Sequence, residues 1–195
     1  MKEQKKDRRV QRTRNLLHEA LQELMIEKGY EAITVQDLID RANIGRSTFY
    51  SHFVDKEELL VENVNILREL IKEQMVKIET IKTKAFRFEF SLSFLQHAQD
   101  SKRLWKATVA PSGLFVLHHI KRVISDLIRE EITISNSFNS LKIPQDIAVE
   151  FVVNTLMSLI HWWMDGEKHT QVSAIEVDEM FHQLVLTGIG SEILN

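Results

Sequence analysis

The chain has no cysteine, two prolines and six glycines among its 195 residues. Lack of cysteine rules out a disulfide framework, a thiol nucleophile and a thiolate zinc site. With so few prolines and glycines, little interrupts backbone hydrogen bonding, so long helices are expected. No run approaches the ~18 apolar residues of a membrane span, and the charged N-terminus is not followed by the apolar stretch of a secretory signal. A cytoplasmic location is therefore expected. The length allows one or two domains with a sizeable core.

A net charge of −3 looks ill-suited to binding a polyanion, but the charges are segregated. Residues 1–14 carry Lys2, Lys5, Lys6, Arg8, Arg9, Arg12 and Arg14 against Glu3 and Asp7. Such a run can approach phosphates or enter a minor groove, and it can also be read as a solubilising tail. Helix one is expected from about Val10 to Lys28, with an apolar stripe at Leu16, Leu17, Ala20, Leu21, Leu24 and Met25, and Gly29 as its C-terminal stop.

The most informative segment is TVQDLIDRANIGRSTFYSHFVDK, residues 34–56. Thr34 is a good N-cap and Asp37 completes a box-like start for a helix carrying Val35, Leu38, Ile39 and Ala42. Asn43 tolerates the left-handed backbone that ends helices, and Gly45 permits a sharp change of direction. A second short helix spans Arg46 to Phe53. Two helices of this size joined by a tight turn form a helix-turn-helix, whose second helix enters the DNA major groove. Ile44, Phe49 and Phe53 suit the core, which leaves Arg46, Ser47, Thr48, Tyr50 and His52 outside as a row of donors without an acid among them.

The run ANIGRSTFYSHFVDKEELL resembles the signature of the TetR family of bacterial transcriptional regulators, usually A-G-V-S-K-G-T-L-Y-R-H-F-x-x-K-E-x-L. Thr48, Tyr50, His52, Phe53, Lys56, Glu57 and Leu59 fall on identical positions, and the motif likeness covers roughly residues 10 to 65. Asn43, Gly45 and Ser47 depart from it, so the recognition helix is expected to lack a capping hydroxyl at Gly45 and to gain one at Ser47. The resemblance implies an all-α protein with an N-terminal three-helix DNA-binding domain over residues 1–54, and a helical regulatory and dimerisation domain over 55–195. It also implies a DNA-binding site made of Thr34, Gln36, Arg46, Ser47, Thr48, Tyr50, His52 and Lys56. Thr34, Tyr50, His52 and Lys56 match positions that mostly touch phosphate.

Beyond the motif the pattern stays helical. A long helix is expected from Asp55 to about Ile81, with others near 84–100, 102–109, 112–134, 145–165 and 173–190. The last two are the best candidates for a dimer interface. Ile147 to Met164 is apolar on several sides, and Ile175, Met180, Phe181, Leu184, Val185 and Ile189 continue the pattern, as in a four-helix bundle about a two-fold axis. These helices can equally form the core of one subunit. Most aromatics follow residue 85: Phe86, Phe88, Phe90, Phe94, Trp105, Phe115, Phe138, Trp162 and Trp163. They suit an apolar or aromatic effector, with His97, His118, His119 and His161 as nearby polar groups.

No nucleophile elbow, Gly-rich phosphate loop or metal-ligand spacing is present, so neither enzyme chemistry, nor a metal, nor a cofactor is expected. The expectation is a sequence-specific DNA-binding regulator. It is a homodimer on an inverted-repeat operator in double-stranded DNA, a repressor released by a small apolar or aromatic effector. The alternative is a DNA-binding helical adaptor that senses no small molecule.

Overall fold

The computed structural model describes residues 2–77, 86–135, 143–165 and 171–189, and every regular element in them is helical. The elements are α1 (Lys2–Lys28), α2 (Val35–Ala42), α3 (Arg46–Tyr50), α4 (Lys56–Lys77), α5 (Glu89–Asp100), α6 (Lys102–Val109), α7 (Leu114–Ser135), α8 (Gln145–Met164) and α9 (Ala174–Ile189), with 3-10 turns at Tyr30–Ala32 and Pro111–Gly113. The expected all-α architecture is borne out, and most boundaries fall within a few residues of those read from the sequence. Ile78, Ile81 and Phe138 lie outside the described residues. The residues gather into two compact units, one of residues 1–67 and 103–119, the other of 68–102 and 120–195.

In the first unit α1 is longer than its apolar stripe predicts. Residues 2–9 contain no breaker, so the helix continues back through the basic run rather than leaving it as a separate tail. It stops at Gly29, whose φ of 75° suits glycine, after Gly29 N–H donates to Met25 O at 3.0 Å. Leu17, Leu21, Leu38, Phe49, Leu59 and Leu60 are fully buried and form the core. Gly29 also lets the chain come close to Ser112, since a Cβ there would lie 2.9 Å from the Ser112 hydroxyl. Tyr30 stacks flat on Phe115 with ring centroids 5.3 Å apart. Phe115, expected among effector-region aromatics, thus packs beside the helix-turn-helix, and the buried Trp105 belongs to the same unit.

The second unit is built around α5, α7, α8 and α9. Phe88, Phe90, Phe94, Ala148, Val152, Leu156, Ile160 and Phe181 are all buried in its core. By length and composition α8 could cross a membrane, against the expectation that no segment would, but half of that stretch is buried as in the core helix of a folded unit. On α9, Gly188 lets Phe151 of α8 lie against the backbone, because a Cβ there would meet the Phe151 ring at 2.7 Å.

Side chains from two other helices hold the start of α5. His182 Nε2 accepts the Phe88 N–H at 3.0 Å, while Glu131 of α7 accepts those of Glu89 and Phe90 at 2.8 and 3.0 Å. Three of the amides that a helix N-terminus leaves unmatched are thereby satisfied. Asp178 of α9 accepts from Arg87, at 2.7 Å, and from Ser91. Burial alone would push the Asp178 carboxyl up, but His182, Ser91 and Arg87 together hold it below its ordinary value.

Glu131 goes the other way. Burial outweighs its two N–H donors and, with Glu89 and Glu130 nearby, pushes its pKa from 4.5 up to about 7. Between those values the unfolded chain releases a proton that the folded chain keeps, so this group's contribution is fully present below about pH 4.5 and is lost as pH rises through about 7. Glu131→Gln removes the titration while giving up one acceptor. Urea unfolding across this window should show wild-type stability falling relative to the variant by about 2–3 kcal/mol. Parallel pH profiles would show that Glu131 is not the responsible group.

Candidate nucleic-acid interface

Helix α3 is five residues long and its position is imposed from below. Phe49 is fully buried and Phe53 nearly so, at 6.2 Å between ring centroids. The turn before it forms because Asn43 adopts the left-handed conformation (φ 51°, ψ 51°), and Ile44 N–H then donates to Ile39 O at 3.1 Å. Helical hydrogen bonding runs on past α3, with Ser51 N–H donating to Ser47 O at 3.1 Å and Phe53 N–H to Phe49 O at 3.0 Å.

A polar cluster from α1 and α4 fixes Phe53 in turn. Arg14 sits 5.0 Å over the Phe53 ring, and His18 meets the ring edge-on at 6.0 Å. Glu62 of α4 accepts from Arg14 Nε at 2.9 Å and is 2.9 Å from His18 Nε2. Asn63 lies 3.2 Å from the other His18 nitrogen. The Arg14 hydrogen bond holds the Glu62 carboxyl below its ordinary value against its partial burial, and His18 adds to the effect. The sequence reading missed this cluster; Glu62 and Asn63 are visible there only as polar interruptions in an apolar stripe.

The outward face is chemically simple. Arg46, Ser47 and Tyr50 are exposed, and Thr48 and His52 are half-buried at the edge. The side chains of Arg46, Ser47 and Thr48 make no hydrogen bond among the described residues; the Arg46 guanidinium rests 5.6 Å over the Tyr50 ring. Gly45 is the N-cap of α3 and offers no side-chain hydrogen bond, as expected. The hydroxyl foreseen at Ser47 is not used as a cap. Gly45 has extended backbone (φ −78°, ψ 151°) and room for a Cβ, its nearest neighbour being the Thr48 hydroxyl at 3.7 Å.

Thr34 and Gln36 stand at the start of α2. Thr34 and Asp37 form the foreseen reciprocal cap: the Thr34 hydroxyl accepts the Asp37 N–H at 3.2 Å, and the Asp37 carboxylate accepts the Thr34 N–H at 2.7 Å. Lys28 at 2.8 Å and these Thr34 bonds hold Asp37 far below the usual carboxylate range. Gln36 donates to Asp40 at 2.8 Å and stays exposed. Arg41, also exposed, bridges α2 to Glu23 and Glu27 of α1 at 2.9 and 2.6 Å.

Lys56 is placed unlike the other seven expected residues. Its ammonium donates to the carbonyls of Ile33, Tyr30 and Glu31 at 2.8, 3.2 and 3.4 Å, and lies 4.5 Å over the Tyr30 ring. All three N–H donors are spent inside the unit. The basic residues Arg8, Arg9 and Arg12 are exposed on α1.

Residues 17–62 match the family model described as bacterial regulatory proteins, tetR family. An uncharacterized HTH-type transcriptional regulator of Bacillus subtilis (strain 168), YxbF, is 48% identical over 60 residues, which is 30% of this chain and 16% of that protein. The chain thus aligns with only a small part of that relative. A TetR transcriptional regulator from Streptococcus agalactiae 2603V superimposes with a TM-score of 0.58 at 25% identity, over 92% of this chain and 97% of that one. Thermus thermophilus FadR, a TetR-family transcriptional repressor in complex with lauroyl-CoA, superimposes with a TM-score of 0.57 at 16% identity, over 91% and 95% of the two chains. That last likeness is one of fold.

Two substitutions test how this face is held. Lys56→Met removes three charge-assisted hydrogen bonds from a half-buried ammonium and should lower stability to urea by about 2 kcal/mol. Gly45→Ser supplies the missing capping hydroxyl and should raise stability by roughly 0.5 kcal/mol. An unchanged midpoint for Lys56→Met would show that its carbonyl contacts hold nothing in place.

Proposed function

We propose that this member of the tetR family of bacterial regulatory proteins is a transcriptional regulator that binds an inverted-repeat operator in double-stranded DNA as a homodimer. It acts as a repressor that a small apolar or aromatic effector releases. The observation that carries the reading is the acid-free row of Arg46, Ser47, Thr48, Tyr50 and His52 on a helix anchored by Phe49. Arg46, Ser47 and Thr48 read base edges, since their donors are unengaged and the major groove offers acceptors on every base pair. Thr34, Gln36, Tyr50 and His52 sit at the rim and meet phosphates, with Arg8, Arg9 and Arg12 of α1 adding positive charge. Lys56 supports them by holding the turn at Tyr30–Ala32.

Support for the dimer comes from α8 and α9. Ile147 and Leu184 are 59% and 52% exposed, and Phe151, Trp162, Ile175 and Met180 also reach the surface. Ile147, Phe151, Leu159 and Leu184 line an open groove of about 660 Å³. Apolar side chains at this density on two adjacent helices suit a self-complementary interface. For effector release, the buried aromatic core of the second unit and the lauroyl-CoA complex of a protein of like fold are the support. DNA and effector favour different states, so each weakens the other by the same factor. Helix α4 runs unbroken from Lys56 to Lys77 and supplies residues to both units, a covalent path for that coupling.

An operator selected from random duplexes should be an inverted repeat, protected on both half-sites in footprinting. Arg46→Ala should cost 1–3 kcal/mol (approximately) on that operator and far less on random DNA. Ile147→Asp with Leu184→Asp should give monomers by ultracentrifugation and abolish two-site protection. Equal losses on operator and random DNA would remove Arg46 from base reading, and dimers persisting in the double variant would move the interface elsewhere.

A further inference from the structure

Several guanidinium groups of the chain are taken by acids: Arg14, Arg41, Arg68, Arg87 and Arg129 are each paired with a carboxylate. Arg46, the first residue of α3, is not. It is exposed, has no hydrogen bond or ion pair among the described residues, and rests 5.6 Å over the ring of Tyr50. The two residues stand one helical turn apart, the spacing at which side chains on one face meet. Tyr50 is 49% exposed, so one side of its ring faces outward. From below it is held edge-to-face by the fully buried Phe49, with ring centroids 5.3 Å apart and planes at 88°.

A guanidinium stacked on a ring uses its flat face and keeps its edge. The N–H groups lie in its plane, so the contact with Tyr50 leaves the donors of Arg46 open. Arg14 also lies over a ring, that of Phe53 at 5.0 Å, but its edge is closed by Glu62. An exposed arginine loses much rotamer freedom when a partner fixes it. One that already rests on a ring has given up part of that freedom beforehand, and its binding is stronger for it.

The shape of the free edge selects a base. Guanine presents two neighbouring acceptors in the major groove, O6 and N7, which match the guanidinium fork. Adenine sets an amino donor beside its N7, cytosine offers a donor, and thymine a single acceptor. The hydroxyls of Ser47 and Thr48 can donate or accept, so they suit any base edge and discriminate less.

We propose that the ring of Tyr50 is the positioning group for Arg46, and that the pair reads a guanine in each half-site of the operator. Tyr50 then has two separable parts. Its hydroxyl reaches phosphate and serves every sequence alike, whereas its ring acts through Arg46 at a single base pair. The inference rests on the DNA-binding reading and names the base that Arg46 takes.

The test uses the full chain and fluorescence anisotropy on the operator selected from random duplexes, with each guanine of one half-site changed in turn to adenine. One such change should weaken wild-type binding roughly 5–150-fold. Arg46→Ala should abolish that penalty. Tyr50→Leu should reduce it by roughly 2–5-fold, and should reduce it no further when combined with Arg46→Ala. Tyr50→Phe keeps the ring, so the penalty should stay whole while all duplexes bind more weakly together. Tyr50→Trp offers a cation the strongest face and should hold the penalty at or above that of wild type, a check that stands even if Tyr50→Leu fails to fold. A full penalty in folded Tyr50→Leu, or one lowered as far in Tyr50→Phe and Tyr50→Trp as in Tyr50→Leu, would overturn the positioning role. An inverted repeat with no guanine whose penalty Arg46→Ala abolishes would overturn the pair alone, whereas recovery of no preferred sequence would overturn the regulator reading itself.

Discussion

The outward row of α3 depends on the burial of one side chain, Phe49. A helix of five residues cannot form by itself in water, because nucleation fixes several backbone angles for very few hydrogen bonds. What keeps Arg46–Tyr50 helical is the fully buried Phe49 ring on its inner side, backed by Phe53. Phe53 is held by Arg14 and His18, and these by Glu62. The orientation of Arg46, Ser47 and Thr48 is therefore set by packing at the junction of α1, α3 and α4. Large-to-small changes in such a core typically cost about 3–5 kcal/mol for phenylalanine, enough to dissolve so short a helix.

Much of this unit is readable in the sequence because local rules and the global fold agree there. Thr34 and Asp37 announce the start of α2, Asn43 and Gly45 its end, and the spacing of Phe49 and Phe53 shows which side of α3 is inside. What is not readable is how side chains are shared between distant segments. Lys56 sits in a motif where a lysine suggests phosphate contact, yet its partners are the Ile33, Tyr30 and Glu31 carbonyls, more than twenty residues earlier in the chain. The start of α1 was also misplaced. An apolar stripe marks where a helix is buried, whereas helix formation continues wherever nothing stops it, and residues 2–9 hold no proline or glycine. In the second unit periodicity marks the helices, but Glu131, His182 and Asp178 give no sign of their joint work at α5, which brings together residues 41 to 94 positions apart.

Both units use unmet hydrogen-bonding capacity, under opposite physical conditions. On α3 the donors of Arg46, Ser47 and Thr48 are at the surface, where water satisfies them at little cost. In the interior, water is absent, and an unmatched group destabilises the fold for as long as it stays unmatched. The first unit thus holds its unmet donors on an exposed row, whereas in the second the Ser93 hydroxyl is buried without a partner among the described residues.

Helix α5 shows how such a buried group can be tolerated. Its N-terminal amides are met by Glu131 and His182, and Ser91 bonds to Asp178, so the helix is tied at one end and along one face by side chains from α7 and α9. With that much fixed, the helix cannot rotate to bring Ser93 into contact with Asp178 without breaking several bonds at once. Ser93 lies on nearly the opposite face, and its buried hydroxyl makes no hydrogen bond among the described residues.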